Sequence, residues 1–212
     1  MSQGLGSLSP VDRELFNQFG RASRVEPTFS LVHQAFENIV DSQPSSVAVE
    51  HDGNTITYHD LEKLSNKLAN SLIRKGLKPR QRVCLVLQRS INLVVAILAV
   101  LKCGCQYIPL DGGVVPDNVM AHIFKDTQAQ YVLCFEKFHH RVQQFTTHTN
   151  TIVILDAARD EESTSSISGG RPVVSLNSSD GAYIIYTSGT AQGFLEVNFL
   201  TLERNHRQPK RR

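Results

Sequence analysis

The sequence has no apolar stretch long enough to cross a membrane. Its longest apolar run, Ile91 to Leu101, is interrupted by Asn92 and has about half the length of a membrane-spanning helix. Residues 1–10 also lack the basic start and apolar centre of a secretory signal peptide. We therefore expect a cytoplasmic protein with no membrane partner.

Cysteine is scarce, and its spacing does not fit a metal or redox motif. Cys103 and Cys105 enclose one residue instead of the two of a C-x-x-C pair, and no second pair matches them. The four cysteines lie in strongly apolar surroundings: Cys84, Cys103, Cys105 and Cys134. They are predicted to be buried free thiols in a reducing compartment. Adjacent His139 and His140 would point in different directions from one helix, which favours a solvated pair over a metal site.

The sequence also lacks a large net charge of either sign. The formal net charge is +2, and residues 203–212 hold five basic residues against Glu203, so the rest of the chain is slightly acidic. This distribution argues against a nucleic-acid partner for the body of the protein. The final segment, Arg207–Arg212, fits a solvated disordered end better than a nuclear-import patch.

Strands and helices alternate from residue 81 onward. The predicted strands are Gln81–Leu87, Gln106–Asp111, Gln130–Phe135, Thr151–Leu155 and Ala182–Tyr186. Their apolar character predicts an α/β fold with a mainly parallel sheet, flanking helices and right-handed crossovers. Ligands of such sheets bind at the carboxyl ends of the strands.

Helical periodicity and turn signals mark the connecting elements. Predicted helices are Leu31–Val40, a helix from Thr57 to Gly76, Ile91–Lys102, Asp117–Asp126 and a polar helix through His139. The expected N-caps are Ser30, Thr57 and Ser90. A hairpin, Val47–Tyr58, turns at Asp52-Gly53.

The last predicted strand runs into a turn rich in hydroxyl groups. Thr187, Ser188 and Thr190 offer short donors, and Gly189 lets backbone N–H groups turn toward an anion. This combination indicates a site for phosphate oxygens. A lysine usually follows such a turn, but the next lysine in this sequence is Lys210.

Four stretches, in this order along the chain, resemble adenylation (AMP-binding) domains of fungal non-ribosomal peptide synthetases, which are adenylate-forming enzymes. They are Val32–Ala35, Ile56–Leu61, Leu101–Asp111 and Tyr186–Thr190. The resemblance covers about residues 28–190 and implies the first part of that fold. Residues 1–27 are interpreted as a linker or disordered N-terminus, and residues 191–212 as an unrelated, disordered basic tail that adds nothing to the sheet.

The resemblance implies activation of an amino or other carboxylic acid with ATP and Mg²⁺. An acyl-adenylate forms, pyrophosphate leaves, and the acyl group passes to the thiol of a carrier protein. Thr187, Ser188, Gly189 and Thr190 would contact the β- and γ-phosphates. Lys102 and Asp111 are interpreted as structural, a helix C-terminal cation and a turn acid, and Tyr58 as a packing aromatic.

The sequence departs from the family after Thr190. The family turn continues through threonine-glycine-x-proline-lysine-glycine, whereas Ala191, Gln192 and Gly193 stand here and the proline-lysine pair is absent. The family's C-terminal catalytic lysine would also lie further on, so no catalytic residue is assigned. Three alternatives follow: a truncated synthetase segment that is inactive alone, a non-catalytic binding module, or a gene-model product without function.

Overall fold

The computed structural model describes residues 9–20, 31–146, 151–155, 169–177, 180–188 and 195–201. The helices are α1 (Pro10–Phe19), α2 (Val32–Ser42), α3 (Tyr58–Arg74), α4 (Ile91–Lys102), α5 (Asp117–Thr127) and α6 (Glu136–Gln143). The strands are β1 (Val47–His51), β2 (Asn54–Thr57), β3 (Arg82–Leu87), β4 (Gln106–Asp111), β5 (Tyr131–Cys134), β6 (Thr151–Ile154), β7 (Gly181–Ser188) and β8 (Leu195–Thr201).

Six strands form one sheet in the order β6-β5-β3-β4-β7-β8. All neighbours in this sheet run parallel except β7 and β8, which are antiparallel. Strands β1 and β2 form a separate antiparallel hairpin. The predicted α/β class with a mainly parallel sheet is therefore confirmed, as are the hairpin and all five predicted strands.

The central strand β3 is buried on both faces of the sheet because helices cover each face. Leu85 belongs to a core with residues of α3 and α4, whereas Cys84 belongs to a second core with residues of α5. Successive strand residues point to opposite faces, so an uninterrupted apolar run supplies both cores. The order of the strands then fixes which loops meet at each edge of the sheet.

The predicted helix caps are confirmed at two of three positions. The hydroxyl oxygen of Thr57 accepts a bond from the Asp60 N–H, 3.1 Å, and that of Ser90 accepts one from the Leu93 N–H, 3.2 Å. Each bond satisfies a backbone donor that the first helical turn leaves free. Helix α2 has Leu31 as its N-cap, without a side-chain bond, and the predicted cap Ser30 lies outside the described residues.

Both terminal segments contain regular structure. Residues 10–19 form α1, capped by Ser9, within the segment interpreted as a linker or disordered N-terminus. Residues 195–201 form β8, which pairs with β7, although the tail was expected to add nothing to the sheet. The unpaired backbone groups at the edge of β7 can bond to any extended segment. Strand β8 could therefore form without a periodic pattern of apolar side chains. Residues 202–212 lie outside the described residues.

A buried ion cluster joins α4 to α3 and α2. The Nζ of Lys102, whose residue is only 2% exposed, donates to Glu62 and to Asn66, each at 2.6 Å, and lies 3.3 Å from a Glu37 oxygen. Lys102 is therefore structural, as predicted, but side chains of other helices bind it. Burial alone would raise the pKa of Glu62, but the hydrogen bonds from Lys102 and Arg171 hold that pKa below its usual value.

The segment before β7 is attached to the same cluster. Arg171 donates to Glu62, 2.8 Å, and to Asp41, 2.7 Å. The backbone oxygen of Gly169 accepts a bond from Asn66, 3.0 Å. These contacts fix the chain on α3 and α2 shortly before it enters the sheet.

His33 makes stability depend on pH. It is 7% exposed, its Nδ1 has no hydrogen-bond partner among the described residues, and burial lowers its pKa below the usual value of about 6.5. Below about pH 6.5 the unfolded chain binds a proton that the folded chain excludes, so stability falls as the pH drops toward the folded pKa. In urea unfolding between pH 7.5 and 5, the free energy of unfolding of His33→Phe should fall less steeply with decreasing pH than that of the wild type. The difference in slope should be up to about 1.4 kcal/mol per pH unit. The exposed His122, replaced by phenylalanine, controls for loss of an imidazole, and parallel profiles for His33→Phe and the wild type would contradict the prediction.

Candidate functional site

The carboxyl ends of the parallel strands meet at one edge of the sheet. The chain leaves β3 at Gln88, β4 at Gly112 and β5 at Phe135. The last two residues of β7 are Thr187 and Ser188, so the predicted phosphate turn begins at this edge. The other two predicted site residues, Gly189 and Thr190, lie outside the described residues.

A crevice is expected at this edge between β3 and β5. The connection from β3 through α4 leads to β4 on one side, whereas the connection from β5 through α6 leads to β6 on the other side. The two helices lie on opposite faces, because α4 packs in one core and Val142 of α6 packs in the other. Ligands of open α/β sheets bind where neighbouring connections diverge in this way.

The turn after β4 lies beside that crevice and packs against Gln88, the first residue after β3. The Gly113 N–H donates to Asp111 Oδ1, 2.9 Å, which confirms Asp111 as a turn acid. A Cβ at Gly113 would lie 2.5 Å from the side-chain nitrogen of Gln88, so only glycine fits without a shift. Arg141 donates to the Gly112 oxygen, 2.7 Å, and fixes the turn from α6.

Lys137 places a positive charge at the same edge. It is exposed, its Nζ donates to Gln88 Oε1, and it lies 5.1 Å from the centre of the Phe138 ring. The sequence did not lead us to predict this residue, because the lysine expected for a phosphate site is one that directly follows the hydroxyl-rich turn. The position of Lys137 just after the carboxyl end of β5 was the available signal. The edge thus combines hydroxyl residues, a glycine turn and a cation, a set suited to anionic ligands.

Tyr186 stands directly before the predicted turn. Its hydroxyl donates to Asp126 Oδ2, 2.6 Å, and sequence reasoning did not predict this contact. Burial and the bond to Asp126 raise the pKa of Tyr186, so the phenol stays protonated.

The cysteines and histidines do not form a second site in the described part of the chain. All four cysteines are buried and form no disulfide, and burial raises the pKa of Cys84 and of Cys105 to about 12, so these two remain protonated thiols. Within the described ranges no three or more histidine, cysteine, aspartate or glutamate residues are grouped to hold a metal ion. The described helices also include none with the length and apolar character of a membrane span.

Comparisons with known proteins agree on one family. A family model described as "AMP-binding enzyme" matches residues 36–191. Adenylate-forming reductase 03009 of Coprinopsis cinerea is 38% identical over 186 residues, which are 88% of this chain and 18% of that protein. Malpinin synthetase of Mortierella alpina is 36% identical over 162 residues, 76% of this chain and 2% of that protein. The chain thus spans less than a fifth of the length of either relative.

Solved structures share the fold. The nonribosomal peptide synthetase FmoA3, with alpha-methyl-L-serine-AMP bound, superposes with a TM-score of 0.75 at 22% identity, covering 91% of this chain and 20% of that one. Its AMPPNP-bound form has the same TM-score and identity and covers 91% of this chain and 19% of that one.

Proposed function

Because this chain belongs to the AMP-binding enzyme family, we propose that it is the phosphate-binding first part of an adenylation domain. Such a domain activates an amino or other carboxylic acid with ATP. The observation that carries the proposal is the end of β7 at the carboxyl edge, where Thr187 and Ser188 open a hydroxyl-rich turn. The fold supports this proposal, because the structure of the similar protein FmoA3 has been solved with AMPPNP, an ATP analogue.

The proposed ligands of the β- and γ-phosphates are the residues of the turn: Thr187, Ser188, Gly189 and Thr190. Hydroxyl and backbone N–H donors suit phosphate oxygens, and Lys137 adds a positive charge to the same edge. We propose that Mg²⁺ binds mainly through the phosphates, since this ion typically uses few protein ligands. The absence of a metal-binding group among the described residues is compatible with that arrangement.

In the proposed reaction a carboxylate oxygen of the acid attacks the α-phosphorus of ATP. An oxygen–phosphorus bond to the acid forms, the bond between the α- and β-phosphates breaks, and pyrophosphate leaves with its electron pair. The activated acyl group then passes to the thiol of a carrier protein, which releases AMP. The proposed partners are therefore the acid and the carrier protein, with no role for nucleic acid or membrane.

A non-catalytic nucleotide-binding module is the second candidate. It is favoured by the sequence after Thr190, where Leu195 stands at the position that the family motif gives to lysine. We propose a cytoplasmic location for either candidate, supported by the free thiols in the core.

Restoring the lysine tests the proposed site. Leu195 pairs with Ser188, so Leu195→Lys places a lysine at the strand position next to the end of β7 and should tighten ATP binding about tenfold in calorimetric titrations. The matched control is Thr201→Lys, because Thr201 lies an even number of residues further along β8 but pairs with Gly181 at the far end of β7. Pyrophosphate should compete with ATP and adenosine should not. Absence of ATP binding by both the wild type and Leu195→Lys, or equal gains in the two variants, would contradict the proposed site.

A further inference from the structure

We propose that Tyr186 is a positioning residue, whose hydrogen bond to Asp126 fixes the end of β7 from which the phosphate turn emerges. The part of this inference that concerns ATP rests on the proposed function. The part that concerns the strand end does not, so the two can be tested separately.

Within the described residues, the main-chain pairing of β7 with β4 is limited to the start of β7. Tyr107 pairs with Tyr183, the third residue of β7, whereas β3 and β4 pair at six positions. On its other side β7 pairs with β8 as far as Ser188, and β8 is the last described strand of the sheet. Side chains therefore contribute to the attachment of the carboxyl half of β7 to the body of the protein.

Two side chains on one face of β7 provide that attachment. Ile184 is 1% exposed in the core that includes residues of α5, and Tyr186 packs against the same core. Beyond its ring, Tyr186 reaches Asp126 with its hydroxyl at 2.6 Å. Tyr186 is adjacent to Thr187, so this bond acts one residue before the turn.

The acceptor is well placed to act as an anchor because the end of α5 is itself fixed. Arg82, at the start of the central strand, donates to the backbone oxygen of Thr127, 2.8 Å. The hydroxyl of Thr127 donates to the Ile123 oxygen, 2.7 Å, within the same helix. A chain of contacts therefore runs from β3 through the last turn of α5 to the tyrosine that precedes the turn.

Amide hydrogen exchange without nucleotide tests the anchor. Tyr186→Phe removes only the hydroxyl and should speed exchange about tenfold at the one amide of Thr187 and Ser188 that bonds to β8, the factor for a bond of about 1.4 kcal/mol. Tyr183→Phe removes a hydroxyl from the opposite face of the same strand, near its start, and should leave this amide unchanged. Equal exchange in Tyr186→Phe and the wild type would overturn the proposal.

Replacement of the acceptor separates this bond from general stability. Asp126→Asn keeps a side-chain oxygen and should exchange like the wild type, whereas Asp126→Leu should behave like Tyr186→Phe. If both Asp126 variants increase exchange equally, or if the increase spreads to all of β3, the change is a global loss of stability and the proposal is overturned.

ATP titration of the same variants tests the consequence for the turn. Affinity should fall about tenfold in Tyr186→Phe and Asp126→Leu and stay within about twofold in Asp126→Asn and Tyr183→Phe. Faster exchange together with unchanged ATP affinity would overturn the role of Tyr186 in phosphate binding. Faster exchange in a chain whose wild type binds no ATP would support the anchor and overturn the proposed nucleotide site.

Discussion

Replacing Lys102 by methionine should destabilise the folded chain by about 3–5 kcal/mol. Methionine keeps most of the apolar stem but leaves Glu62 and Glu37 facing a position that no longer carries a positive charge. A buried carboxylate that loses its partner retains its full desolvation cost, which exceeds the value of the pair itself. Arg171 still contacts Glu62, so the loss should lie toward the lower end of this range.

The measurement is urea unfolding followed by circular dichroism, and Lys125→Met is the matched control. Lys125 also lies in the last turn of its helix, but its side chain is exposed. Removing its charge there should cost less than about 1 kcal/mol. If the two variants lose similar amounts of stability, the buried cluster contributes no more than a surface cation.

The 212-residue polypeptide alone should catalyse no amino-acid-dependent exchange of labelled pyrophosphate into ATP. The segment after Thr190 carries no lysine before Lys210, and the chain spans only 18% of the reductase that it resembles. Without a cation in the turn, the charge on the leaving pyrophosphate lacks a stabilising contact that is worth several kcal/mol in a desolvated site.

The exchange assay requires evidence that the protein sample is folded and able to bind ATP. ATP binding should be measured on the same preparation, so that a blank exchange assay reports on chemistry and not on unfolded protein. Exchange above the blank with any common amino acid would show that the turn functions without its lysine.

Local sequence signals were sufficient to predict most of the fold. The caps of α3 and α4 follow from Thr57 and Ser90, and the hairpin turn follows from Asp52-Gly53, because each depends on residues close together in the chain. The uninterrupted apolar character of β3 likewise predicted a central parallel strand. The order of the strands and the direction of β8 depend on pairing between distant segments, which periodicity does not report.

The buried ion cluster was beyond the reach of sequence reasoning for the same reason. Lys102 lies 40 residues from Glu62, and Arg171 lies 109 residues from it. A lysine in the last turn of a helix is ordinarily exposed at the surface. The residue type and position of Lys102 therefore predicted a helix C-terminal cation and not a buried ion pair.

The candidate site was predictable in part. The turn at Thr187 and Ser188 could be identified because chemistry and position coincide in one short segment, and its role in phosphate binding stays a prediction. Lys137 was missed although its position just after the carboxyl end of β5 was an available signal. The contact between Asp126 and Tyr186 could not be identified, because these residues lie 60 positions apart in the chain. The loops at the carboxyl edge likewise come from separate regions of the chain.

The contact between Lys102 and Glu62 also restricts how α3 and α4 can align. Apolar stripes tolerate a shift of one helical turn, since one leucine can replace another in the same groove. A shift of about 5 Å would separate this ammonium from its carboxylate and leave both groups buried without a partner. The pair therefore selects one register from several that would bury similar apolar area, and contributes specificity to the folded state as well as stability.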